Sequence, residues 1–336
     1  MSVVIRPEHD LSGANTLGLP CVAERFVAPG SVAALREVLA GARAHGWPLT
    51  LLGGGSNLIL PARLSGLVVQ PALTRWWLEP AGEGVRVHAE AGVDWHRLVM
   101  ALAGHGLWGT ENLALIPGHC GAAPIQNIGA YGVELGEVLE AVHLLHLDDG
   151  RETVLSAGEC DFAYRDSVFK RELNGRVVIT RLVLRLSRTP RPRLDYGDLA
   201  RRVAGCPTPL AVAEAVCAVR REKLPDPATL GNAGSFFQNP RVAADVAERL
   251  LHDHPRMPHF PQPDGRVKLA AGWLIDQCGL KGWRDGHFGV HDRQALVLVH
   301  LGGGCAAELL AFAGRVAERV EARFGVTLER EPRLAG

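Results

Sequence analysis

PLTLLGGGSNLIL, residues 48–60, reads as a short apolar strand, a turn of three glycines and a second apolar strand. Three successive glycines strip side chains from the turn, so neighbouring backbone N–H groups can converge on a phosphate, and Ser56 and Asn57 add donors. The element after the turn decides between folds. A dinucleotide-binding βαβ unit enters a helix after its glycines, whereas a strand comes next here. The Lys-Ser/Thr ending of a P-loop is also missing. Taken alone, Gly53, Gly54 and Gly55 suit a tight connection as well as a phosphate cradle.

On either side of this turn, helix and strand signals alternate. Pro29-Gly30-Ser31 opens a helix with Val32, Leu35, Val38 and Leu39 on one face and Ser31 as its N-cap. Strands are expected at 85–89, 141–147 and 177–186, with a helix at 95–104. The pattern is α+β with many short strands. RTPRPRLDYGDL (188–199) is turn-rich and marks a boundary or a mobile loop. From Leu210 a helix begins, then come loops, a helix at 270–278, a strand at 294–300 and a long amphipathic helix at 306–324. This stretch has the size of a compact α/β domain, roughly 110 residues.

The chain's 336 residues exceed one compact core, and 47% hydrophobic with 21% charged residues is the composition of a folded protein. Lys plus Arg equals Asp plus Glu at 36 each, so net charge makes no case for a nucleic-acid partner. Only four of the basic residues are lysines (Lys170, Lys223, Lys268, Lys281), which suggests that Lys is kept where a compact ammonium is needed. No secretory signal is visible at the N-terminus. Residues 112–133 carry no charge, but their prolines, glycines and amides do not suit a membrane helix. Seven cysteines without a C-x-x-C pair read as reduced thiols of a cytoplasmic protein.

Three stretches have the residues for chemistry besides the glycine turn. In ENLALIPGHCGAAPIQNIGAYGVE (111–134), Gly118, Gly121, Ala122 and Ala123 let a backbone approach a flat or bulky group. Gln126 and Asn127 offer amides there, and Tyr131 can close over a ligand; the plain alternative is a buried loop. Arg165 in Tyr164-Arg-Asp-Ser167 is either half of a surface ion pair with Asp166 or a planar clamp for a carboxylate. Ser235 in GNAGSFFQNP (231–240) sits among glycines and is backed by Phe236 and Phe237, an arrangement that suits proton transfer; G-x-S-x-G is absent, against a nucleophile. His252, His254 and His259 lie close in sequence, but the prolines around them and the spacing speak against a metal site. The LEREPR tail (328–333), read alone, is a solvated terminus.

Together these stretches resemble the UDP-N-acetylenolpyruvoylglucosamine reductases, the MurB family of flavoenzymes in peptidoglycan synthesis. The match runs in order through NTLGL (15–19), GGGSN (53–57), 111–134, YRDSVFK (164–170), KLPDP (223–227), GNAGSFFQNP, KLAAGWLIDQCGLKG (268–282) and the LEREPR tail. DYGDL (195–199) resembles the version of the family with a tyrosine loop over the substrate. The resemblance implies an FAD-binding fold of two subdomains, of the PCMH or vanillyl-alcohol-oxidase-like type, at 1–72 and 73–209. A C-terminal α/β substrate-binding domain would span 210–324, with the tail 325–336 returning near the active site.

It further implies a UDP-N-acetylmuramate dehydrogenase serving cell-wall biogenesis, and with it cell shape and division. NADPH would reduce a dissociable FAD, which reduces UDP-N-acetylglucosamine enolpyruvate to UDP-N-acetylmuramate, the two substrates taking turns at one site. FAD would be lined by Gly53, Gly54, Gly55, Ser56 and Asn57, and by Pro117, Gly118, Gly121 and Ala122. Gln126, Asn127, Gly129, Ala130, Tyr131 and Arg333 complete that lining. Arg165 and Glu331 match the family's carboxylate-side pair, and a glutamate there helps only with its proton on, so its pKa should be raised. Ser235 matches the proton donor. Tyr196, Arg220, Lys223, Asn239, Lys268, Lys281 and Gln294 match substrate contacts, Arg221 being an alternative to Arg220. Gln238 and His119-Cys120 depart from the family pattern. Another FAD oxidase or a non-catalytic flavin module would account for less: neither needs Ser235, KLPDP and Glu331.

Overall fold

Ser31 starts the first long helix of the computed structural model, which describes residues 3–203 and 205–336. Its hydroxyl accepts from the Ala34 N–H at 3.1 Å, and Val32–Ala44 then buries Leu35, Val38, Leu39 and Ala42. That face packs on Val27, Leu67 and Val69, which belong to short parallel strands ordered Val22–Val27, Leu67–Val69, Leu49–Leu51. Next comes an antiparallel sheet in the order Glu152–Ser156, Leu139–His146, Val177–Ser187, Gly84–Glu90, Trp76–Ala81. Val177–Ser187 is buried along nearly its whole length, as its run of Val, Ile and Leu requires of a central strand. Helix Trp95–Gly104, capped by Asp94, lays Trp95, Leu98, Val99 and Leu102 into the same core.

These elements form one of two compact units, made of Met1–His9, Ala23–Gly55 and Ser65–Glu222. The other contains Asp10–Val22, Ser56–Leu64 and Lys223–Gly336. Helix Pro209–Lys223 packs with the first unit, although the sequence pattern placed it at the head of the C-terminal domain. The reason is its stripe of Val212, Ala213, Val216, Cys217 and Val219, which is buried in the first unit's core.

In the second unit a sheet ordered Gly231–Ser235, Val297–His300, Phe288–Val290, Arg284–Asp285 packs against helix Ala306–Phe324. That helix buries Leu309, Phe312, Ala313, Val316, Val320 and Phe324 at the spacing of one helical face and stops at Gly325, a left-handed cap at φ 66°. Leu58–Ile59, the strand after the glycine turn, pairs in parallel with Arg333–Leu334 at the chain's end. Among the described residues no helix is long and apolar enough to cross a membrane.

Phe312 is fully buried and stacks on Trp283 at 4.8 Å between ring centroids. Phe312→Ala is expected to cost about 3–5 kcal/mol, because the cavity it leaves is walled by helix and sheet. Urea unfolding followed by tryptophan fluorescence measures this; a loss under ~1 kcal/mol would show that the site collapses to fill the gap.

Candidate cofactor site and active site

Strand Leu49–Leu51 delivers the chain to the glycine turn, where Gln70 Nε2 donates to the Gly53 carbonyl at 2.8 Å. A Cβ on Gly54 would stand 2.7 Å from Gly118 Cα, closer than a side chain can approach a fixed backbone. One on Gly53 would stand 3.3 Å from Ala122 Cβ. Turn 53–55 therefore lies backbone-to-backbone on 118–122. That second segment is fixed from below by Cys120 N–H to the Val93 carbonyl at 2.9 Å and Gly121 N–H to the Ala91 carbonyl at 2.8 Å. Pro117 and Ala122 stay exposed. A side-chain-free turn laid on the glycines of a braced segment, with small exposed residues beside it, makes a wall suited to a diphosphate and a flat ring system.

Residues 111–134 are less bare than their composition suggests. They contain single 3-10 turns at Glu111–Leu113 and Cys120–Ala122 and a two-residue hairpin, Gly129–Ala130 against Val133–Glu134. Asn127, at φ 44°, has its amide engaged inside the protein. Its Nδ2 donates to Glu134 at 2.7 Å and to the Ala163 carbonyl at 3.3 Å, and its Oδ1 accepts from Gly136 N–H at 2.9 Å. It braces the ribbon, and its backbone N–H is engaged as well, donating to the Pro124 carbonyl at 3.2 Å. Gln126 is half-buried beside it. Tyr131 is half-buried at φ 50°, burial pushes its phenol pKa up, and its ring meets that of Tyr196 edge-on at 5.4 Å. Tyr196 is 55% exposed.

Arg165 occupies the corner of a two-residue hairpin in which Ala163 and Asp166 exchange both backbone hydrogen bonds at 3.1 Å. Its φ of 55° is the left-handed conformation that costs a bulky L-residue about 1 kcal/mol. The guanidinium reaches back so that Nη2 donates to the Gly129 carbonyl at 3.0 Å. A side chain on Gly129 would meet Glu134 Cγ at 2.9 Å and Arg165 Nη1 at 3.3 Å, which explains the glycine. Asp166 pairs with Arg171, so its carboxylate is spent on a residue other than Arg165. Arg220 turns inward and Arg221 outward. Burial works against the charge of Arg220, and Tyr131 offsets part of that cost.

In the second unit Ser235 ends strand Gly231–Ser235, half-buried, with Phe236 and Phe237 in the core behind it. The C-terminal tail runs alongside. Glu331 N–H donates to the Phe236 carbonyl at 2.9 Å, and Gln238 N–H donates to the Glu329 carbonyl at 2.9 Å. Asn57 Nδ2 reaches the Glu331 carbonyl at 3.4 Å, and Arg333 N–H donates to the Asn57 carbonyl at 3.1 Å. The structure thus brings Ser235, Glu331, Asn57 and Arg333 together, with the Ser56 carbonyl tied to Thr16 Oγ1 at 3.3 Å.

The predicted substrate contacts of this unit are more dispersed in character. Asn239 Oδ1 accepts from the first N–H of helix Ala271–Gln277 at 2.9 Å, so part of its amide caps that helix. Gln294 lies over Gly272 of the same helix. Lys268 Nζ stands 5.6 Å from the Phe260 ring. Lys281 pairs with Asp276 at 3.0 Å, and Lys223 ends its helix exposed. Of the three histidines considered for metal, His254 packs edge-on against Trp273 and Phe324. Among the described residues no group of His, Cys, Asp and Glu is disposed to hold a metal ion.

Sequence reasoning passed over Glu111, 2% exposed, whose Oε2 accepts from Gly109 N–H at 2.6 Å while burial raises its pKa. The signal was a carboxylate heading an otherwise uncharged run of 22 residues. The departures at 119 and 120 are both accommodated. Cys120 is buried with its thiol pKa pushed far up, and His119 lies beside Gly54 with its pKa lowered by burial.

The chain matches the family model of the C-terminal domain of UDP-N-acetylenolpyruvoylglucosamine reductase over residues 226–335, and an FAD binding domain over 23–156. It is 49% identical to the UDP-N-acetylenolpyruvoylglucosamine reductase of Chromobacterium violaceum, covering 99% of each chain. It is 51% identical to that of Cupriavidus pinatubonensis over 96% of this chain and 97% of the relative. Among solved structures it is similar to UDP-N-acetylenolpyruvylglucosamine reductase from Thermus caldophilus, with a TM-score of 0.67, 26% identity and 99% of each chain covered.

Gly54→Ala is expected to lower FAD retention at least tenfold, since the new Cβ must push turn 53–55 off 118–122. Titrating apoprotein with FAD by flavin fluorescence checks it, and wild-type affinity would show that the contact is not needed. For Glu111 the folded pKa exceeds the unfolded value, so the native state binds more protons above pH 4.5. Stability should therefore fall as pH rises from 4.5 through the folded pKa. Glu111→Gln should flatten that decline in thermal melts taken across the range; an unchanged slope would assign it to other groups.

Proposed function

This chain belongs to the UDP-N-acetylenolpyruvoylglucosamine reductase family, FAD-dependent enzymes of peptidoglycan synthesis, and we propose that NADPH supplies its electrons and that Arg165, Ser235 and Glu331 carry the reduction of the enolpyruvyl ether. The wall at 53–55 and 117–122 fits FAD: Gly54 lies against Gly118 where no Cβ has room, and small residues beside them suit a diphosphate and an isoalloxazine ring. Bound FAD supplies a hydride acceptor for the nicotinamide and a hydride donor for the substrate methylene carbon.

Addition of hydride there leaves negative charge on the neighbouring carbon, shared with the carboxylate. Arg165 offers a planar cation to that carboxylate, and the hairpin corner together with the Gly129 carbonyl holds it in one orientation. Ser235 Oγ gives its proton to the carbanionic carbon. A hydroxyl is a weak acid, but the intermediate is a strong base, and Phe236 and Phe237 keep water from the serine's rear. Glu331, carrying its proton, donates to the carboxylate as charge builds.

The observation that supports this reading is the Glu331 N–H to Phe236 carbonyl bond at 2.9 Å, which lays the Glu331 backbone beside the residue that follows Ser235. A solvated tail would make no such bond. Lys223, Asn239, Lys268, Lys281 and Gln294 take the nucleotide and diphosphate of the UDP-sugar, with Tyr196 and Arg220 contributing from residues before 223. Tyr196, exposed and followed by Gly197 at φ 64°, closes over the bound substrate. All seven cysteines are free thiols, which supports the cytoplasm as the compartment.

The purified protein should be yellow and should oxidise NADPH only when the enolpyruvyl UDP-sugar is present. Oxidation indifferent to that sugar would remove the reading. In stopped flow, Ser235→Ala should leave flavin reduction by NADPH nearly intact and slow reoxidation by substrate by about 10²–10⁴-fold. Equal losses in both half-reactions would exclude Ser235 as the proton donor. Glu331→Gln should fall on the same half-reaction.

A further inference from the structure

Lys170 is the one lysine to which no ligand is assigned, and its ammonium is occupied within the protein. Nζ donates to the carbonyl of Arg165 at 2.8 Å. That carbonyl belongs to the residue at φ 55° on the corner of the 163–166 hairpin, while Tyr164 before it has no positive φ. A turn of this kind, with a positive φ only at its second corner, ordinarily has glycine or asparagine there. A long-chained arginine stays only if the surroundings hold it.

Those surroundings converge on the lysine. Lys170 N–H donates to the Ser167 carbonyl at 3.0 Å, which roots the clamp on the residues leaving the hairpin. Ser167 is fully buried, and its hydroxyl donates to the Ile125 carbonyl at 2.7 Å. Both ends of the Lys170 bridge are thus anchored, one to the core ribbon and one to the strained corner. The carbonyl it grips sets the plane of the Arg165–Asp166 peptide, and with it the direction in which Arg165 leaves the backbone. Asp166 is tied to Arg171, so the next residue is fixed as well. A single compact donor suits this space, which gives a reason for a lysine in a chain with 32 arginines among its 36 basic residues.

We infer that Lys170 is a positioning residue of the reductase, holding the Arg165 turn in its left-handed conformation so that the guanidinium is aimed at the substrate carboxylate. This rests on the carboxylate role of Arg165 and makes Lys170 act through Arg165 alone. Removing the ammonium lets the turn relax, and an ångström of misplacement is enough to cost about 10²-fold in a positioned step.

The test is stopped-flow kinetics on FAD-loaded Lys170→Met, Lys170→Arg, Arg165→Gln and the double variant Arg165→Gln/Lys170→Met. Lys170→Met should slow flavin reoxidation by the enolpyruvyl UDP-sugar by about 10–100-fold, with reduction by NADPH changed less than ~3-fold. Lys170→Arg, which keeps the charge but puts a longer planar fork where a compact ammonium fits, should recover only part of the loss. In the double variant reoxidation should be no slower than in Arg165→Gln, because the lysine has nothing left to aim. Multiplying losses in the double variant, or equal losses in both half-reactions, would overturn the inference. So would loss of FAD or of cooperative thermal unfolding in Lys170→Met, which makes it a residue of the fold. Wild-type reoxidation in Arg165→Gln is a separate result: it removes the role of Arg165 itself and the inference with it.

Discussion

The contact of Gly54 with Gly118 sets the terms for the rest of the cofactor-binding unit. A Cβ on Gly54 would come within 2.7 Å of Gly118 Cα, so the two segments meet there as bare backbone, and the bonds around them hold that approach. Glycines lose the most conformational entropy on ordering, so an unsupported three-glycine turn would not stay in place. Gln70 grips it from one side. On the other, residues 118–122 hang from the carbonyls of Ala91 and Val93, next to the sheet strand Gly84–Glu90. The bonds that brace the base thus also hold the bare glycine contact in place.

From that base a chain of polar ties leads to Arg165. Asn127 links the ribbon to the Ala163 carbonyl, Ser167 links the hairpin to Ile125, and Lys170 closes on the Arg165 carbonyl. Each tie satisfies a buried or half-buried polar group that would otherwise cost free energy, and together they leave the hairpin one conformation. The strain at Arg165 is kept by this network rather than relieved by a glycine. A glycine would have carried no guanidinium.

The second unit solves a different problem, that of fixing a chain terminus. Its tail lies beside residues 236–238 through hydrogen bonds from Glu331 and Gln238, and Arg333–Leu334 pairs with Leu58–Ile59. The phenylalanines that follow Ser235 are buried in the core, so the tail is laid against a chain segment anchored there. The lysines follow a similar logic of local use. One braces a turn, one pairs with Asp276, one stands near Phe260 and one ends a helix, in a chain without net charge.

Local pattern alone was enough for the Ser31 cap, the helix 306–324 and the existence of a strand at 177–186, because each is fixed by capping chemistry or by the spacing of its apolar residues; that this strand is central and buried came only with its neighbours. The sequence motifs also led to the family, and with it to FAD and the UDP-sugar reaction. Spacing was silent on partners far apart in the chain. It assigned helix Pro209–Lys223 to the following domain, whereas its apolar stripe is buried in the preceding one. It offered the Asn127 amide to a ligand, and the family resemblance offered Asn239, whereas the first is spent on bracing and part of the second on a helix end. It read 328–333 as solvated, whereas the tail makes backbone bonds with Phe236, Gln238 and Asn57, all far earlier in the chain. Local sequence determined the elements and the chemistry they carry. Tertiary structure decided which polar groups remain for a ligand, because a donor's availability depends on what the fold brings to it.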